Sequence, residues 1–261
     1  MQSFINLAIF IFGASIGSFL NVLIDRLPKD KSINGRSHCD YCKKKIAWYD
    51  LIPVLSFFIL KGKTRCCHKK LNFQYPAIEI LTGITFVLIS NFKFLISKQT
   101  SIFQQPISNF IYFGLISCLI VIFVSDLKYH LISDYILLSL FVFSALSHLQ
   151  QISQFPNFLI SGFILALPIW LIYFFSKERS MGLGDVYLSA IMGFLLGWKT
   201  GFMALYIAFV TGAIFGLILI VLKRKKLKSR IPFGPFLVIG TVVMLFWGEK
   251  ILKIIQRIYG F

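Results

Sequence analysis

Eight apolar runs follow one another along the chain, most of them 18 residues or longer, separated by short polar or basic segments. An α-helix rises about 1.5 Å per residue, so about 20 residues cross the roughly 30 Å of bilayer hydrocarbon. The runs are Phe4–Ile24, Pro76–Ile96, Ser108–Ser125, Leu131–Leu149, Asn157–Phe175, Gly184–Trp198, Phe202–Leu222 and Gly234–Trp247. The sixth and eighth are short, as expected of helices that are tilted, broken or sunk in protein. Of the 261 residues 57% are hydrophobic and only 14% charged, where a soluble domain carries about a quarter. No large aqueous domain is left over. The expected fold is an all-α polytopic membrane protein with about eight transmembrane helices.

The formal net charge of +17 suggests nucleic acid as a partner, but its distribution argues otherwise. The basic residues cluster between the apolar runs, as the positive-inside rule expects. Nucleic acid is therefore excluded and a lipid membrane is the partner. Asp25 to Tyr75 is the only long polar segment, with 12 Lys and Arg against four Asp. Placing it inside puts 21 basic residues inside and six outside, with both termini outside. Lys128, Lys177, Arg179 and the run KRKKLKSR (223–230) then fall inside, the last as a topology anchor or a contact for anionic lipid. The first run lacks a basic segment before it and an Ala-x-Ala site after it, and reads as an anchor. Glu249 to Tyr259 carries Ile251, Ile254, Ile255 and Ile258 at helical spacing, an interfacial amphipathic helix.

Four of the five cysteines lie in the 25–75 loop, where an inside location keeps thiols reduced. CDYCKKKI (39–46) is followed 25 residues later by a near copy, TRCCHKKL (64–71). Cys42 thereby matches Cys67, and Thr64 replaces the first cysteine of the second turn. Two such turns make a closed, structural zinc site. The candidate ligands are Cys39, Cys42 and Cys67 with Cys66, or with His68 as the alternative fourth; unmetallated thiols are the competing reading. Cys118, inside an apolar run, reads as a small core residue.

Ionisable residues in hydrocarbon cost a few kcal/mol, about 2.5–3.5 at a helix centre, so they are candidate functional groups. Glu79, Asp126, Asp134 and Asp185 are the acids in or beside the runs. Asp185 sits in MGLGDVYL (181–188), behind Gly182 and Gly184, which allow close approach. Asp126 ends the third run on the same side of the membrane. Two neighbouring carboxylates cannot both ionise cheaply, which leaves one acid and one base to share a water. That is aspartic-protease chemistry, with Asp126 and Asp185 as the catalytic pair. Asp134 reads as a helix N-cap, Glu79 as a structural partner or part of a second site, and His130 as a loop histidine without catalytic role.

The chain resembles the prepilin peptidase family over nearly its full length. The resemblance rests on GSFLNVLIDRLP (17–28), the cysteine turns with WYDLIPVLSF (48–57), YPAIE (75–79), DLKYHLISD (126–134), MGLGDVYL (181–188) and PFGPFL (232–237). It implies that Asp126 and Asp185 are catalytic. It further implies cleavage, on the cytoplasmic side of the inner membrane, of the short basic leader of prepilin or pseudopilin precursors. The new amino terminus is then N-methylated from S-adenosylmethionine, an activity associated with the amino-terminal region. The expected division is 1–97 for that region and 98–261 for a six-helix peptidase domain. Residues that bind the methyl donor are not legible. Three positions depart from the family pattern: Thr64 for Cys, Ser133 for Pro, and Tyr187 for Lys.

Two other readings compete. Presenilin-like and signal-peptide-peptidase-like intramembrane proteases share Gly-x-Gly-Asp but pair it with Tyr-Asp and Pro-Ala-Leu, whereas here Asp126 follows Ser125 and the late motif is PFGP. A small ion-coupled transporter would carry interrupted helices in repeated halves, and the sequence shows no such repeat.

Overall fold

The computed structural model describes residues 2–39, 41–91, 104–176, 181–222 and 232–259. Among them there is no strand, only the isolated bridges His38–Lys45 and Lys63–Lys70. The helices are α1 (Gln2–Arg26), α2 (Leu55–Ile59), α3 (Gln74–Asn91), α4 (Gln104–Tyr129), α5 (Asp134–Ser147), α6 (Phe155–Ser176), α7 (Leu183–Leu196), α8 (Trp198–Val221) and α9 (Gly234–Tyr259). Each apolar run of the sequence falls mainly on one helix, although Leu131–Leu149 overruns α5, Gly184–Trp198 crosses from α7 into α8, and Pro76–Ile96 ends outside the described residues. Lys93, Lys98, Lys177, Arg179 and the basic run 223–230 also lie outside them. Four helical stretches are long and apolar enough to cross a membrane: Gln2–Lys29, Asn109–Tyr129, Phe155–Ser176 and Trp198–Val221. Two apolar helices, Asp134–Ser147 and Leu183–Leu196, are shorter. At 14 residues each reaches only about 21 Å.

The chain divides into two compact units, Met1–Val121 and Ile122–Phe261, with the division inside α4. In the first, α1 packs along α3. A Cβ built on Gly17 would lie 2.8 Å from the Glu79 Cα, so these backbones meet only because Gly17 has no side chain. Between the two helices runs the cysteine segment, held by short turns and by an Arg65–Asp50 ion pair of 2.9 Å. Arg65 is exposed, so this pair adds little to stability.

In the second unit α7 packs against α5, α6, α8 and α9. Nine of its 14 residues are buried, among them Phe194, which meets the rings of Phe141, Phe155, Phe158 and His148. A helix enclosed by protein has no need to match the hydrocarbon thickness, which accounts for its shortness. Gly197 ends α7 and starts α8 with φ +77°, a conformation that side chains rarely adopt. The outer faces of α6 and α8 carry exposed Phe163, Phe175, Leu217 and Val221. Such faces belong against lipid tails.

Two sequence expectations change. The tail is not a separate amphipathic helix: α9 runs without interruption through 249–259, since no Gly or Pro follows Gly248 before Tyr259 to stop it. The N-cap of α5 is Ser133, and Asp134 is an exposed first-turn residue, where a carboxylate still suits the helix dipole. Ser133 has φ −76°, a value that proline also adopts, so its departure from the family pattern leaves the backbone unchanged.

Candidate active site

Asp126 lies one turn before the end of α4. The stop follows at His130, an exposed residue with φ 54° whose N–H donates to the Asp126 carbonyl at 2.9 Å. Asp185 is the third residue of α7, and its Oδ2 accepts the N–H of Gly182 at 3.1 Å. That bond satisfies one of the orphan donors of a helix start. Both carboxylates are buried, and Asp185 lies within the electrostatic field of Asp126. They come from distant stretches of sequence but from one compact unit.

A third segment closes this arrangement. Gly234 opens α9 beside Asp126, and its backbone N–H faces that carboxylate. A Cβ built on Gly234 would lie 2.6 Å from Oδ2 of Asp126 and 3.3 Å from Cδ1 of Ile132. One built on Gly184 would lie 3.1 Å from Cβ of Ile132. Ile132 therefore touches the glycine beside each aspartate. Sequence reasoning gave Ile132 no role and Gly234 only a place in PFGPFL. The one available signal was a glycine at the start of an apolar run. Oδ2 of Asp126 is buried without a hydrogen-bond partner, which leaves it to accept from a water or, when protonated, to donate to a substrate carbonyl. Tyr187 is exposed on α7.

The cysteine turns form the second constellation. His38–Lys45 and Lys63–Lys70 bridge equivalent positions, and Lys43 and His68 both take positive φ at equivalent places. Thr64 occupies the position of Cys39, its N–H donating to the Lys69 carbonyl as Cys39 N–H does to Lys44. The missing sulfur comes instead from Cys66 inside the turn. Sγ atoms of Cys39, Cys42, Cys66 and Cys67 all lie within 4.8 Å of one another, with separations of 3.7, 3.2 and 3.9 Å for three of the pairs. Tetrahedral zinc with bonds of about 2.3 Å needs sulfurs about 3.8 Å apart, so the donor set fits that ion. His68 is not in this cluster. Burial raises the Cys39 thiol, but the backbone N–H groups of Cys42 and Tyr41 and the thiols of Cys66 and Cys42 outweigh it and bring it down to about 6. The hydrogen bond to Cys42, with burial second, pushes Cys66 up to about 12. One sulfur is thus prepared to carry charge, and a metal would have to displace the proton of Cys66. Cys118 is buried in α4 and takes no part.

Glu79 is buried where α1 meets α3, and its Oε2 accepts the N–H of Val54 at 2.7 Å. Val54 has φ 63° and ψ −53°, and Leu55 N–H donates across it to the Pro53 carbonyl. This is the strained form of the three-residue turn, a rare place for a β-branched residue. The strain costs about 1–3 kcal/mol. The bond from the Val54 N–H to Glu79 helps to hold this turn in place.

A helical membrane bundle with two buried aspartates at helix ends is the architecture of a membrane aspartic peptidase. The comparisons agree. Residues 11–92 match the bacterial peptidase A24 N-terminal domain, and residues 113–217 match the type IV leader peptidase family. The prepilin leader peptidase/N-methyltransferase of Bacillus subtilis is 30% identical over 94% of this chain and 95% of its own. That of Legionella pneumophila is 30% identical over 96% and 94%, and that of Pseudomonas aeruginosa 25% over 96% and 93%. No solved structure matches. The chain belongs to the type IV leader peptidase family.

Proposed function

We propose that this chain cleaves the leader from prepilin-like precursors and N-methylates the new amino terminus, with Asp126 and Asp185 as its catalytic pair. The observation that carries the peptidase reading is the buried, partnerless Oδ2 of Asp126 beside a second buried aspartate, in a member of this family. A water between the carboxylates gives up a proton to the ionised one as it attacks the scissile carbonyl. The protonated partner hydrogen-bonds the carbonyl oxygen, and the leaving amine takes a proton as the C–N bond breaks. The protein's part is to hold the two groups close and dry, through the Gly182 N–H on Asp185 and the Gly234 backbone against Asp126.

Eight spans, with residues 25–75 and both aspartates on the cytoplasmic side of the inner membrane, are the arrangement that the basic residues favour. Residues 98–261 then carry the peptidase and 1–97 the methyltransferase region. S-adenosylmethionine supplies the methyl group. Cleavage and methylation are tested together by mass spectrometry of a synthetic precursor peptide incubated with the reconstituted protein, with and without S-adenosylmethionine. The expected product loses the leader, and gains one methyl group only when the donor is present. An uncut peptide would refute the peptidase reading, and a cut but never methylated one the methyltransferase reading.

The cysteine cluster holds one structural zinc ion. Purified protein is expected to contain about one zinc per chain, falling sharply in Cys39→Ser, Cys42→Ser and Cys66→Ser but not in His68→Ala. Retention of zinc in Cys66→Ser with loss in His68→Ala would move the fourth ligand to His68. Methylation is expected to fall further than cleavage in Cys42→Ser, because the cysteine loop belongs to residues 1–97.

A further inference from the structure

Residues 48–59, WYDLIPVLSFFI, lie between the two cysteine turns, and neither the aspartate pair nor the sulfur cluster draws on them. Their apolar pattern is turned outward. Leu55, Phe58 and Ile59 stand at i, i+3 and i+4 of α2, one face of a helix. On a helix packed against a core that face is buried, yet here the three are 60%, 62% and 73% exposed. Trp48, Leu51 and Ile52, just before α2, are exposed as well. Phe57, off this face, has its ring against Gly62 and Phe73, so α2 already has an inward side. An apolar face of this kind marks an interaction surface.

Depth and charge together say what covers it. The Val54 N–H bond to Glu79 Oε2, 2.7 Å long, ties the head of α2 to α3. Glu79 stands three residues past Pro76, where the apolar run begins, or about 4.5 Å along the helix. The face is therefore held at the polar end of a membrane helix, close to the depth of about 5–10 Å at which interfacial helices lie. Trp and Tyr, the types of residues 48 and 49, are those that settle at headgroup level. Lys61 and Lys63 follow α2 directly and are exposed, as are Lys43, Lys44, Lys45, Lys69 and Lys70 in the cysteine turns. Asp50, the single acid of residues 46–63, is already held by Arg65. We propose that residues 48–59 dock into the headgroup boundary of an anionic bilayer, with Lys61 and Lys63 on the lipid phosphates, and so pin the cysteine turns to the membrane surface.

The test is photo-crosslinking in full-length protein, with a benzophenone side chain placed at Phe58 and, in a second variant, at Leu55. Both positions are exposed, so neither label has packing to disturb. The protein is held in nanodiscs of phosphatidylcholine with about a quarter phosphatidylglycerol, and the adducts are identified by mass spectrometry. A label at Phe163, on the outer face of α6, is the control for lipid contact. The expected result is lipid adducts at both loop positions, with phosphatidylglycerol at least about twofold above its share of the bilayer. Lys61→Gln combined with Lys63→Gln should bring that excess down while leaving the adducts at Phe163 unchanged. Adducts to protein, whether this chain, a second copy or an added precursor peptide, would overturn the proposal and make the face a protein interface. A label at Phe58 and Leu55 that forms no adduct, while the one at Phe163 does, would overturn it by placing the face in water. Lipid adducts with no excess of phosphatidylglycerol would overturn the part given to the lysines.

Discussion

Asp126→Asn and Asp185→Asn are each expected to lower cleavage by at least about 1,000-fold while leaving the protein inserted in the membrane. General acid–base catalysis by a positioned side chain is worth about 10²–10⁴, and an amide of the same shape can neither take nor give the required proton. In the proposed mechanism the two carboxylates act on one water, so the double variant should be hardly worse than either single one. Asp134→Asn is the control. That side chain is exposed in the first turn of α5, and its loss should cost little activity. The measurement is peptide cleavage by the reconstituted variants. Turnover near that of wild type in either buried-aspartate variant would remove that residue from the pair, and complete loss in Asp134→Asn would bring a third carboxylate into the reaction.

Gly234→Ala is expected to reduce cleavage by about 100-fold, the cost of displacing a catalytic group by about an ångström. The added Cβ would stand 2.6 Å from Oδ2 of Asp126, so the carboxylate must move. Alanine is the better helix former by about 1 kcal/mol in a helix interior, so lost helix stability would not account for the fall. Gly182→Ala should be nearly silent, since its nearest neighbour would be 4.0 Å away. Gly184→Ala lies between, because its new methyl would press on Ile132 at 3.1 Å rather than on a carboxylate. Adding Ile132→Ala should rescue Gly184→Ala but not Gly234→Ala, a coupling that a double-mutant cycle on cleavage rates measures directly. Equal rescue of both, or an active Gly234→Ala, would show that Asp126 is not held by the head of α9.

Much of the architecture was legible in the sequence because lipid imposes a simple rule. Long apolar stretches must be helical, and their ends are marked by polar residues, so each run falls mainly on a helix among the described residues. What the run lengths did not reveal is where a helix is enclosed by protein. The 14-residue α7 is short because α5, α6, α8 and α9 surround it, which no local pattern encodes. The continuous α9 escaped for the opposite reason: polar residues from Glu249 onward mimic a boundary, although the backbone has no reason to stop there.

The candidate site divides in the same way. Asp126, Asp185 and the cysteine turns announced themselves through residue type and spacing, since an acid beside hydrocarbon and a repeated Cys-x-x-Cys-like turn are chemically conspicuous. Ile132 and Gly234 were silent, because an isoleucine and a glycine acquire meaning only from what stands against them. The same holds for the choice between Cys66 and His68. Spacing left both open, whereas folding of the second turn puts the Cys66 sulfur among the other three and gives His68 the positive φ that Lys43 has in the first. The sequence by itself determined which groups are available, because that depends on composition and local period. The tertiary structure alone decided which of them meet, because contacts between α4, α7 and α9 depend on packing across more than 100 residues of chain.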